Sequence, residues 1–147
     1  MLDGTSREEN KEIPSTKPPS KGWYGVDLDG TLAKYPGTYG VPHGIGEPVP
    51  RMVDRVKKWV KEGTEVRIVT ARAAPPFVNE NLQEITEDEA LKEVYDWCQQ
   101  HIGVKLPVTC KKDYSMIELW DDRAIQVIPN MGYTVSEWSN MDKDVTN

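Results

Sequence analysis

Along this chain, short apolar runs alternate with longer stretches in which apolar residues return every three or four positions. The first run, Trp23–Asp27, predicts a strand, followed by a Gly- and Pro-rich loop over residues 34–47. From Pro48, the residues Val49, Met52, Val53, Val56 and Val60 share one helical face, with Pro suited to the first turn and Gly63 to the stop. Residues 64–70 predict a second strand: Val66 and Ile68 face one way, Glu65 and Arg67 the other, and Val69 interrupts the alternation. Beyond Pro75 and Pro76, Thr86 and Glu89 have capping-box spacing, and Leu91, Val94, Tyr95 and Cys98 carry a helix to about Gln100. Short strands at 106–110, 117–120 and 124–128 complete a five-stranded expectation, with no internal repeat. Strands alternating with helices predict an α/β fold around a parallel sheet.

The ends read differently. Residues 1–21 carry Ser, Thr, Pro, Lys and Glu with almost no large apolar side chain, too little to offset the entropy of ordering them, so a flexible tail is expected. Residues 139–147 are polar and are expected to fray. A single domain at 22–138 remains, which a 147-residue chain accommodates without a separate substrate domain.

The 24 acidic and 18 basic residues give a formal charge of −6, which argues against nucleic acid as a partner and leaves room for a small phosphorylated ligand. Cys98 and Cys110 lack metal-ligand spacing and predict neither a zinc site nor a disulfide framework. No apolar run approaches the ~18 residues of a membrane span, and the polar N-terminus is unlike a signal peptide, so a cytoplasmic protein is expected. Composition leaves the oligomeric state open.

The candidate chemistry starts at Asp27-Leu28-Asp29-Gly30-Thr31, at the end of the first strand, where ligand sites of open α/β sheets gather. Chance occurrence of D-x-D-G-T in this length is on the order of one in a thousand. Leu2-Asp3-Gly4-Thr5 repeats four letters of it without the first aspartate or a preceding strand, and is set aside as a decoy. Gly30 permits a tight turn that lets both carboxylates converge. Asp27 suits a nucleophile, and Asp29, held protonated by negative neighbours, an acid and later a base. Thr70 ends the second strand, Lys112 follows the third and Asp121-Asp122 ends the fourth, so all reach one sheet edge. A dianionic phosphate among these carboxylates requires a divalent cation, with Asp27 and Asp121 as hard ligands for Mg2+. Lys112 would add a point charge and Thr70 a hydroxyl donor.

Together, the 27–31 motif, Thr70, Lys112 and Asp121-Asp122 resemble the four motifs of the haloacid dehalogenase superfamily in its phosphatase branch, over residues 23–128. That resemblance implies a Rossmann-like three-layer α/β/α sandwich with strand order 5-4-1-2-3. It also implies nucleophile Asp27, acid/base Asp29, and Mg2+ held by Asp27, the Asp29 carbonyl and Asp121, with Asp122 assisting. Lys111 competes with Lys112, which is preferred because it directly precedes Asp113. Residues 32–47 are too short for a cap domain, so a capless member is expected. Specificity then falls to loops, with Tyr35, Tyr39, His43 and Arg72 as substrate contacts. The expected activity is hydrolysis of a nucleoside monophosphate or sugar phosphate. The alternatives are a phospho-accepting receiver-like domain, which would lack the work of Asp29, and a magnesium-binding module without turnover.

Overall fold

β1, Trp23–Asp27, is the first sheet strand of the computed structural model, which describes residues 12–14, 21–37 and 42–145. Most of the expected N-terminal tail, the decoy at 2–5 and Tyr39 lie outside the described residues. The chain divides into two compact units: one spans Pro19–Asp122, and the other joins residues 12–14 to the segment from Arg123 onward.

In the first unit, β1 is followed by α1 (Pro50–Lys61), β2 (Glu65–Val69), a 3-10 turn (Ala71–Ala73), α2 (Glu87–His101), β3 (Val108–Thr109) and β4 (Met116–Trp120). The strands form a parallel sheet in the order β3-β2-β1-β4. Pro at the first turn of α1 needs no partner for its missing N–H, and Gly63 beyond the helix takes a positive φ of 85°. Thr86 and Glu89 close both halves of the capping box that starts α2.

Register places Tyr24 and Val26 beside Val66 and Ile68 on one sheet face. Met52, Val53 and Val56 from α1, and Val94, Trp97 and Cys98 from α2, pack into a single core with Val26, Val66 and Ile68. Leu91 and Tyr95, expected on the inner face of α2, are only half-buried, and Ala90 and Trp97 take the inner positions. Trp120 stands edge-on to Trp59 at 5.2 Å.

The expected fifth strand is corrected, and within this unit the helices supply only one of the two outer layers. Both helices of this unit lie on one sheet face, and the β3–β4 crossover, residues 110–115, is too short to supply a helix for the other. It crosses as a connector, anchored where the Asp113 carboxylate accepts from Trp23 Nε1 (2.8 Å) and Arg67 Nη1 (3.3 Å). Residues 124–128 add no fifth strand to the described sheet. Asn130 (φ 66°) and Gly132 (φ 78°) turn the chain straight back, so Val127 makes only a local antiparallel bridge to Thr134.

The second unit also departs from the expected frayed end, because α3 runs over Val135–Val145. Thr134 Oγ1 accepts from Glu137 N at 3.0 Å while Glu137 Oε1 accepts from Thr134 N at 2.8 Å, a reciprocal cap that starts a helix despite its polarity. Among the described residues, no helix is long and apolar enough to cross a membrane. Cys98 and Cys110 are free thiols, and burial pushes Cys98 up to about 12.

Candidate functional site

Parallel strands end together, so Asp27, Val69 and Thr109 lie in register at one sheet edge, with Trp120 beside Val26 one step back. Immediately beyond β1, Leu28 and Leu32 are wholly buried and fix a tight turn, in which the N–H groups of Thr31, Leu32 and Ala33 all reach the Leu28 carbonyl. The residues between these anchors are thereby held outward at the edge.

Gly30 is required there. Its φ is +93°, and a Cβ at this position would stand 2.5 Å from Asp122 Oδ2. The missing side chain is what allows the acidic loop after β4 to approach the turn after β1. Thr31 joins the two: its hydroxyl accepts from Asp122 N at 2.9 Å and lies 2.9 Å from Asp122 Oδ1 and 3.3 Å from Asp27 Oδ2.

Asp27, Asp121 and Asp122 each present a carboxylate oxygen, all within 4.8 Å of one another, a grouping that could hold a cation. Burial, the hydrogen bond with Asp122 and the charges of Asp121 and Asp122 push the Asp27 carboxyl up to about 8, against the Thr31 hydroxyl. Three acidic groups this close repel unless a proton or a cation is shared between them. Oxygen-only donors at this spacing suit a hard divalent ion.

The Asp29 side chain is placed differently from the expectation. Arg72 Nε donates to its Oδ2 at 2.8 Å and Nη2 to its Oδ1 at 2.9 Å, a bidentate clamp. The same guanidinium donates to the His43 carbonyl and, at 3.2 Å, to Glu93 Oε1. Asp29 therefore faces a cation, and the negative neighbours invoked for it surround Asp27 instead.

Thr70 is 3% exposed and its Oγ1 caps the 3-10 turn by accepting from Arg72 N at 3.1 Å. That cap sends the Arg72 side chain back across the sheet edge to Asp29. Lys112 and Lys111 are exposed on the connector, beyond the edge residue Thr109 and ahead of Asp113. His43 is half-buried: its carbonyl meets Arg72, its ring stands edge-on to Tyr35 at 5.4 Å, and Nε2 is packed toward Gly37.

Beside Asp29 opens a cleft of about 270 Å³, walled by Tyr35, Pro42, His43, Phe77, Val78 and Ile85, with Arg72 and Glu93 also lining it. Phe77, Glu93 and Trp97, whose indole N–H holds the Gly46 carbonyl at 3.0 Å, carried no motif signal in the sequence. Thr31 did lie inside the motif, and its hydroxyl was the one available clue to a link with Asp122.

No protein-family model and no curated protein matches the chain. A solved conserved protein of Bacteroides thetaiotaomicron is similar at a TM-score of 0.48 and 20% identity, over 87% of this chain and 94% of that one. The functional reading rests on the residues themselves.

Proposed function

We propose that this protein is a magnesium-dependent phosphomonoester hydrolase of the haloacid dehalogenase type, with Asp27 as nucleophile. The observation that carries the reading is the convergence of Asp27, Asp121 and Asp122 at the C-terminal sheet edge, tied by Thr31, with Asp29 on the adjoining turn.

Asp27, Asp121 and Asp122 would hold the ion, which supplies positive charge to the phosphoryl oxygens and keeps Asp27 ionised. An Asp27 carboxylate oxygen attacks phosphorus, the bond to the leaving oxygen breaks, and that oxygen takes up a proton, from Asp29 when it still holds the one gained from water and otherwise from solvent. Water then attacks the aspartyl-phosphate, the phosphorus–Asp27 bond breaks, and inorganic phosphate and the free carboxylate result. Asp29, clamped by Arg72 as a carboxylate, is set up to take the proton of that water. Its donation in the first step first requires a proton, so esters with stable leaving anions should react fastest. Thr70 and a connector lysine, Lys112 or Lys111, are the proposed donors to the phosphate.

The test is multiple-turnover phosphate release from an aryl phosphate with magnesium, with chelator, and with Asp27→Asn. Release should need the metal and vanish in the variant. Undiminished turnover without metal, or in Asp27→Asn, overturns the reading, and wild-type labelling that stops at one phosphate per chain would instead favour a phospho-accepting receiver.

A further inference from the structure

The cleft beside Asp29 has a lining whose chemistry is decided before any ligand enters. Its walls are ring and branched-chain surfaces: Tyr35, Pro42, Phe77, Val78 and Ile85. Its charged groups are Asp29, Arg72 and Glu93, and these are engaged with one another. Four of the five guanidinium N–H groups of Arg72 are directed to Asp29, Glu93 and the His43 carbonyl. Both Asp29 oxygens receive one of them.

A polyhydroxylated leaving group entering here would exchange water for apolar walls, and each hydroxyl left without a partner costs free energy. A flat ring loses little on entering and gains contact with the aromatic and proline faces. The volume, about 270 Å³, lies at the low end for ligand sites and suits one ring system rather than an extended chain. Asp29 lines this cleft and sits two residues beyond Asp27, on the turn that follows β1, which sets the cleft beside the strand end that carries the acidic cluster.

We infer that the cleft receives the leaving group of the substrate, and that this group carries a flat, largely apolar ring. Tyr35 and Phe77 are its specificity-determining walls. The inference rests on the phosphohydrolase reading for where the phosphate sits, and it selects esters that carry a flat aromatic ring over simple sugar phosphates.

Three esters of primary alcohols separate the possibilities, because the bond broken is of the same kind in each: benzyl phosphate, a nucleoside 5′-monophosphate and glucose 6-phosphate. At least one of the two esters with a flat aromatic ring should exceed glucose 6-phosphate in kcat/KM by roughly ten- to hundredfold. Whether the nucleotide or the benzyl ester leads tells a nucleobase from a plain aryl group. Phe77→Ala should raise KM for the preferred ester roughly tenfold with kcat nearly unchanged, and leave glucose 6-phosphate within about twofold. Tyr35→Ala provides the same readout if Phe77→Ala does not fold. Equal kcat/KM for all three esters, or a uniform loss in both variants, overturns the inference. Binding to Asp27→Asn keeps the two readings apart. Ring-selective binding weakened by Phe77→Ala, with no turnover by the wild type, would retain the cleft assignment and sink the hydrolase. Turnover led by glucose 6-phosphate would do the reverse.

Discussion

Asp29 and Gly30 are neighbours with opposite requirements. Asp29 needs a partner: both oxygens are taken by Arg72, which fixes the side chain in one orientation beside the cleft. Gly30 needs the absence of one, because its +93° φ and the Asp122 carboxylate leave no place for a Cβ. The Gly30→Ala variant therefore meets two costs, a backbone conformation unsuited to a side chain and a displaced Asp122. It should lose about 1–3 kcal/mol of stability and at least roughly tenfold in turnover. Urea denaturation and phosphate release check the two effects separately, and wild-type turnover would show that the position of Asp122 does not limit the reaction. At this scale the acidic residues were readable from sequence, since Asp27, Asp121 and Asp122 each end a strand whose apolar run is evident. The orientation of Asp29 was not. Arg72 is 43 positions away and no local pattern pairs the two, so the charge environment expected for Asp29 turned out to be that of Asp27.

Elements were legible wherever a local rule sufficed. The α1 face, the capping box of α2 and the alternation of Val66 and Ile68 follow from spacing and appear in the fold. What departed from the expectation had two sources, one local and one tertiary. Residues 124–128 are apolar enough for a strand, yet Asn130 and Gly132 fold them back locally. The far layer of the sandwich was expected by analogy, while the 110–115 connector is held instead by Trp23 and Arg67 acting on Asp113. The 34–47 loop shows the same dependence. Lys34 N donates to the Glu47 carbonyl at 2.7 Å, and Trp97 of α2 ties down Gly46. Trp97→Phe keeps an aromatic ring in the core but removes the N–H and part of the indole volume, so stability should fall by about 1–3 kcal/mol. The loosened loop carries Tyr35 and His43, so KM for the preferred ester should rise several-fold while kcat holds. A change in kcat alone would mean that the loop tether serves chemistry rather than the cleft.

For the molecule as a whole, the acidic cluster sets how stability depends on pH and metal. Asp27 is pushed up to about 8 from an ordinary 3.8, so without metal the folded state binds a proton that the unfolded chain has released. Its contribution is fully present below about pH 4 and is lost as pH rises through about 8. The metal-free protein should therefore lose stability from this source between pH 5 and 8, opposite to the usual behaviour of a carboxylate paired with a cation. Magnesium requires the ionised form and competes with that proton, so its stabilisation should grow over the same interval. Thermal melts at pH 5, 6.5 and 8, with chelator and with magnesium, give the comparison. The expected result is a metal-induced rise in Tm that is small at pH 5 and largest at pH 8. In Asp27→Asn the proton-linked part should disappear, flattening the chelator series relative to wild type. A magnesium effect that is independent of pH, or a chelator series unchanged by Asp27→Asn, would place the cation away from Asp27 and remove the link between the metal and the nucleophile.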